Sequence, residues 1–134
     1  MSRSRFALSQ HLDNTTVARR VYDAYIKRDR AAIEALLADE FRFISPLDNG
    51  LSRARYMDHC WPAGRDIEQF EFVHVLGAGD QVFVTYEGRR TGGDRFRNTE
   101  ILTVKHGKLT KAEVYFGWSL PHPAAPGSYV GSDA

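Results

Sequence analysis

The run Arg95–Lys105 sets an amide and a carboxyl among apolar side chains. Residues two apart on a strand share a face, so Asn98 and Glu100 fall on the side of Phe96, Leu102 and Val104. The other side carries Arg97, Thr99, Ile101, Thr103 and Lys105, a set suited to solvent or a partner subunit. An unpaired carboxylate in an apolar interior costs several kcal/mol or takes up a proton. Glu100 is therefore expected to have a raised pKa, mainly through desolvation. Two readings of it stand open. Either it gives a proton or hydrogen bond to a bound molecule, or it accepts hydrogen bonds from Asn98, Tyr86 or a helix tyrosine in a core network.

A second acid, Asp48, lies in the loop Ser45-Pro46-Leu47-Asp48-Asn49-Gly50. It reads as part of a turn, since Pro and Asn-Gly supply the backbone angles of tight turns. Tyr22, Tyr25 and Tyr56 carry hydroxyls that need partners when buried. In the last strand Ala112, Val114, Phe116, Trp118 and Leu120 share a face by alternation, and that face is expected to be the inner one. Phe116, Trp118, Tyr56 and Trp61 are then expected to enclose a pocket, with Asn98 and Tyr86 orienting its contents and Tyr25 and Ser45 at its wall.

Other chemistry finds less support. His11, His59, His74, His106 and His122 show no pair at the i, i+4 spacing that chelates zinc. His74 is placed inward with Phe70 and Phe72, without a second inward histidine. Gly77-Ala78-Gly79 leads into a strand and not a helix, so it reads as a hairpin turn and not a dinucleotide loop. Ser45 and Ser119 have no histidine–acid partnership visible in the sequence. Cys60, beside Trp61, reads as packing. No metal site and no cofactor is expected.

The elements that position these residues follow from periodicity. Asp13-Asn14 caps a first helix carrying Val17, Val21, Ala24 and Tyr25; Asp29 caps a second carrying Ile33, Leu36 and Leu37. Phe41–Ile44 reads as a strand. A third helix begins after Ser52, carries Tyr56, Met57, Cys60 and Trp61, and stops at Pro62. From Ile67 to Leu120 the chain reads as a four-strand antiparallel meander, broken at Gly77–Asp80, Gly92–Asp94 and His106–Lys108. In its second strand Val82, Val84 and Tyr86 face one way, and Gln81, Thr85, Glu87 and Arg89 the other, although Phe83 breaks the pattern. Helices followed by a long curled sheet imply an α+β domain with three helices on the concave face of a strongly curved antiparallel sheet. The open end of such a cone leaves a cavity.

Composition bounds the class of function. The 134 residues suit one domain: residues 15–120, between an extension at 1–14 and a Pro/Gly-rich tail at 121–134. Hydrophobic residues make up 43% and aromatics 12%, enough to fill a core and line a cavity. With 18 Lys+Arg against 17 Asp+Glu the net charge is +1, so no basic field gathers nucleic acid. One cysteine allows no intrachain disulfide and no cysteine-based structural zinc. No run approaches the roughly 20 apolar residues of a membrane span. The N-terminus lacks the apolar run of a secretory signal, and a cytoplasmic location is expected.

Several strings also resemble a known family. Val21–Asp29 followed by Ile33–Phe41 is similar to the opening helical pair of the SnoaL-like and ketosteroid isomerase-like branches of the nuclear transport factor two-like superfamily. Ser45-Pro46 with its polar turn and helix resembles their loop after the first strand, and Glu113-Val-Tyr-Phe-Gly117-Trp118 their closing strand. The resemblance covers nearly all of residues 15–120. It implies a cone-shaped, cystatin-like roll and a homodimer through the outer sheet face. It also implies a small, mostly apolar or ring-containing ligand. Ketosteroid isomerases use a base just before the loop proline, a helix tyrosine and a protonated acid on a late strand. Here the base position holds Ser45 and the tyrosine position Val21; only Glu100 has a counterpart, so steroid isomerisation is not expected. SnoaL-like polyketide cyclases, which use a buried acid, resemble the chain in outline. The Asp-Arg-Asp array of limonene epoxide hydrolase and the histidine pair of scytalone dehydratase have no inward counterparts.

The readings that remain are three. The first is a cofactor-independent acid–base enzyme of isomerase, cyclase or dehydratase type, with Glu100 as donor and Asp48 as a base. The second is a pocket that binds without turnover, and the third a dimerisation module.

Overall fold

The computed structural model of the protein describes residues 13–131; His11, most of the N-terminal extension and the last three tail residues lie outside them. Helix α1 (Asn14–Lys27) begins where the Asp13 carboxylate accepts the Thr15 N–H at 3.2 Å, and ends on Arg28 in a left-handed conformation. Helix α2 (Arg30–Leu36) is capped by Asp29, which accepts the Ala32 N–H at 3.0 Å. Strands β1 (Leu37–Ser45) and β2 (Asp48–Ser52) form a hairpin. Helix α3 (Arg53–Ala63), capped by Ser52, and a short 3₁₀ turn (Gly64–Asp66) carry the chain to the far edge of the sheet. Strands β3 (Ile67–Ala78), β4 (Gln81–Arg90), β5 (Arg95–Lys105) and β6 (Lys108–Leu120) then return as a meander.

The six strands lie in the order β2-β1-β6-β5-β4-β3. The sheet is mixed, not wholly antiparallel, because the returning β6 runs parallel to β1. Among the described residues that pairing is the one parallel strand contact, and local alternation carries no sign of it. Local boundaries also differ from expectation: Leu37, expected in the second helix, is extended and opens β1 four residues before Phe41. Only Pro46-Leu47 turns after β1, since Asp48 already pairs with Ser45 and Gly50, at φ 74°, is an extra residue that bulges β2. Pro62 sits inside the last turn of α3, which runs one residue further.

The core lies between the helices and one face of this sheet. Val17, Val21 and Tyr22 of α1 and Ile33 of α2 pack against Val82, Val84 and Tyr86 of β4 and Leu102 and Val104 of β5. The strict alternation of buried and half-buried residues along β4 follows the pleat. Each buried aliphatic side chain contributes about 1.5–3 kcal/mol. The sheet does not close, since β2 and β3 are its two edges. The space between its curled inner face and the helices forms the cavity.

Candidate functional site

The cavity has a volume of about 310 Å³ and is walled mainly by apolar side chains, among them Phe41, Phe43, Phe70, Phe96 and Phe116. Asn98 and Glu100 both line it, on the same face of β5 as Phe96 and Leu102. Glu100 is half-buried, and the surface it retains belongs to the cavity wall. Tyr86 Oη donates to Glu100 Oε2 at 2.7 Å. Asn98 Nδ2 donates to Tyr86 Oη at 3.3 Å, and Asn98 Oδ1 accepts the Gly117 N–H at 3.3 Å. Four groups on three adjacent strands therefore form one hydrogen-bonded chain ending on the carboxyl.

Tyr22 reaches the same place from α1. Its ring packs edge-on against Phe70 and Phe72, with centroids 5.1 and 5.3 Å away, and tilts against Tyr86 at 5.3 Å. Its hydroxyl is buried with no hydrogen-bond partner among the described residues. Glu100 lies close enough for its charge to act on Tyr22, but the two do not meet in hydrogen-bonding geometry. Tyr25 and Tyr56 join hydroxyl to hydroxyl further along the wall.

Electrostatics in this enclosure favour protonated forms. Burial raises the Glu100 pKa, and the hydrogen bond from Tyr86 pulls it back only in part. Burial also lifts Tyr22, Tyr56 and Tyr86 well above an ordinary phenol; beside Tyr22 and Tyr86 the Glu100 charge adds to this, and beside Tyr56 its partner Tyr25 does. Tyr25 is raised too, by burial against the opposing hydrogen bond with Tyr56. The inner cavity thus presents O–H donors and a carboxyl driven toward its neutral acid. That is the equipment for holding one oxygen atom of an otherwise apolar molecule.

A second polar group lies elsewhere on the wall. Ser45 Oγ donates to Asp48 Oδ2 at 2.8 Å, Asp48 Oδ1 stands 3.8 Å from His59 Nε2, and Cys60 is the next residue on α3. Burial, and then the Asp48 charge, push the Cys60 thiol up to about 11. Arg90 also lines the cavity and is paired with Asp66 at 3.1 Å.

Of the residues expected around the pocket, Glu100, Asp48, Asn98, Tyr86, Phe116, Tyr56, Tyr25 and Ser45 line it; Trp118 and Trp61 do not. Gly117 is an extra residue between the pairs Asn98–Phe116 and Arg97–Trp118, so alternation reverses there. Trp118 therefore turns to the opposite face, where the Arg97 guanidinium lies 5.6 Å from its ring. A Cβ on Gly117 would come within 2.2 Å of the Arg97 carbonyl oxygen, so the reversal depends on glycine. Trp61 packs on the far side of Tyr25, centroids 4.8 Å apart, beside a separate hollow. His74 is likewise exposed: β3 slips register between Phe72 and His74, leaving His74 opposite the outward Thr85. Sequence reasoning passed over His59 and Cys60, because their partner Asp48 is brought to them by the hairpin and not by helical spacing.

Comparison with solved structures finds the same fold. A ketosteroid isomerase candidate from Kribbella flavida superposes with a TM-score of 0.68 at 19% identity, covering 90% of this chain and 91% of its own. A protein of cystatin-like fold from Xanthomonas campestris gives 0.69 at 13%, covering 79% and 92%. A protein with a ketosteroid isomerase-like fold from Catenulispora acidiphila, solved in complex with trimethylamine, gives 0.62 at 15%, covering 75% and 85%. A comparison with curated proteins finds no match. Among the described residues no helix is long and apolar enough to cross a membrane. The family model for the SnoaL-like domain matches residues 18–112, and the chain belongs to that family.

Proposed function

We propose that the protein binds a small, mostly apolar molecule bearing one oxygen function and acts on it by cofactor-independent acid–base chemistry, of isomerase, cyclase or dehydratase type. The observation that carries this reading is Glu100 on the wall of an apolar cavity, with its pKa raised and two tyrosine hydroxyls beside it. A ligand carbonyl oxygen would accept hydrogen bonds from neutral Glu100 and from the unpartnered Tyr22 hydroxyl. As a proton leaves the carbon beside that carbonyl for a base, its bonding electrons move toward the oxygen, and both donors stabilise the developing charge. Losing one such donor typically costs about 10²–10³ in rate. Asp48, on the same wall and oriented by Ser45, is the base this reading favours. The fold relative described as a ketosteroid isomerase candidate supports the class of chemistry. The Ser45 side chain at the usual base position argues against steroid isomerisation itself.

A second reading is binding without turnover, and a specific observation favours it: the Gly117–Asn98–Tyr86–Glu100 chain gives Glu100 a structural partner without any ligand. For assembly we propose a homodimer through the outer sheet face, where Tyr115 and Trp118 are exposed. Native mass spectrometry of the purified protein tests for a retained small molecule, and Glu100→Gln separates the two readings. Lost turnover with binding kept supports catalysis. Unchanged turnover and binding remove Glu100 from any role.

A further inference from the structure

We infer that Asp48, His59 and Cys60 form a transition-metal site on the cavity wall, whose donors suit zinc. This site does not depend on Glu100, and it is an alternative to the role of Asp48 as base, because a carboxylate held by a metal ion is not free to take up a proton. One ligand atom from each of the three residues lies within 4.8 Å of the other two, and Asp48 Oδ1 and His59 Nε2 are already 3.8 Å apart. Zinc bonds of about 2.0–2.3 Å in a tetrahedron place ligand atoms roughly 3–4 Å from one another. A small rotation of the side chains closes the difference, and His59, with 73% of its side chain exposed, has the freedom to make it.

The carboxylate is held in the orientation such a site requires. The Leu47 N–H donates to Ser45 Oγ at 3.0 Å, and Ser45 Oγ donates to Asp48 Oδ2 at 2.8 Å. One carboxylate oxygen is thereby occupied and the other is left toward His59. Support of this kind behind a ligand is what fixes ligand geometry in metal sites. The backbone is equally constrained: Asp48 opens β2 against Ser45, and the Ser52 cap fixes the start of α3, which carries His59 and Cys60.

Donor chemistry selects the ion. A thiolate, an imidazole and one carboxylate oxygen suit zinc or cobalt, whereas magnesium and calcium take sets built from oxygen. Binding releases the Cys60 proton to solvent, because the thiolate is the ligand. Three protein ligands leave a fourth position for water or for a heteroatom of the cavity's ligand, as all three residues line that cavity.

The test is a titration of the full chain, stripped of metal by a chelator, with cobalt(II) and then zinc(II). We expect a thiolate-to-cobalt charge-transfer band and tetrahedral visible bands at one ion per chain, both displaced by zinc. Cys60→Ser should abolish the charge-transfer band, and His59→Ala should weaken zinc binding at least tenfold. Ser45→Ala, which leaves all three ligands in place, should weaken it by roughly 10–100-fold. Circular dichroism establishes that each variant is folded. Absence of the charge-transfer band in the parent protein, or zinc affinity unchanged by Cys60→Ser and His59→Ala, overturns the site. Glu100→Gln should bind zinc as the parent does, so failure of the acid–base reading leaves this test intact.

Discussion

The Tyr86 hydroxyl donates to Glu100 Oε2 at 2.7 Å while accepting from Asn98 Nδ2 at 3.3 Å, so one phenol both restrains the carboxyl's pKa and completes the amide's bonding. The two residues belong to neighbouring strands, Tyr86 opposite Asn98 and Glu100 opposite Val84. Their register is set by the β4–β5 pairing, independently of any ligand.

Tyr86→Phe removes that donor and keeps the ring. The Glu100 pKa should rise further, because its hydrogen bond from Tyr86 acts to lower it. The side-chain carboxyl carbon shift of Glu100, followed by NMR against pH, measures this directly. Stability should fall by about 1–3 kcal/mol, since both Glu100 and Asn98 lose a partner in a poorly solvated site. A titration midpoint equal to or below that of the parent would contradict the arrangement.

Glu100 also makes stability depend on pH. Its folded pKa lies above its unfolded value, so the folded state binds the proton more tightly. That contribution is fully present below the unfolded carboxyl pKa of about 4.3 and is lost as pH rises through the folded pKa. Glu100→Gln is neutral at every pH and should match the parent near pH 4 but exceed it in melting temperature on the alkaline side. Melting curves of the two proteins from acid to neutral pH check this, and parallel profiles would refute it.

Gly117 should tolerate no side chain. A Cβ there meets the Arg97 carbonyl oxygen at 2.2 Å, backbone that no rotamer change can move aside. Gly117→Ala should cost about 1–3 kcal/mol, as overpacking does. Gly92→Ala is the control: it has open space around it and should stay within about 0.5 kcal/mol of the parent. Denaturant midpoints of the three proteins decide the matter.

What the sequence made legible follows the local rules that β4 and β5 obey. Their alternation, despite the apolar Phe83 on the outer side, put Val82, Val84, Tyr86, Asn98 and Glu100 on one face, and the caps Asp13, Asp29 and Ser52 marked the helix starts. Alternation misled where a strand bulges. His74 and Trp118 both lie just past a register slip and face outward. Gly117 was itself the warning, because an isolated glycine in a strand often marks a bulge. The parallel β1–β6 pair and the meeting of Asp48 with His59 and Cys60 left no local trace. The first depends on the chain crossing the sheet through α3 and the second on the β1–β2 hairpin, neither of which periodicity records.

Tyr22→Phe offers the sharpest separation of stability from function. Among the described residues the buried Tyr22 hydroxyl has no hydrogen-bond partner, and an unsatisfied group of this kind costs a folded protein about 1–3 kcal/mol. Its ring is held by Phe70, Phe72 and Tyr86, contacts that phenylalanine reproduces. Removing the oxygen should therefore raise the stability of the ligand-free protein, while a ligand that uses the hydroxyl binds more weakly. A purely structural tyrosine predicts no such opposition. Thermal unfolding with and without the small molecule identified by native mass spectrometry reads both effects. An empty protein destabilised by the substitution would mean that the hydroxyl already has a partner, and the donor assigned to the ligand's oxygen would be lost with it.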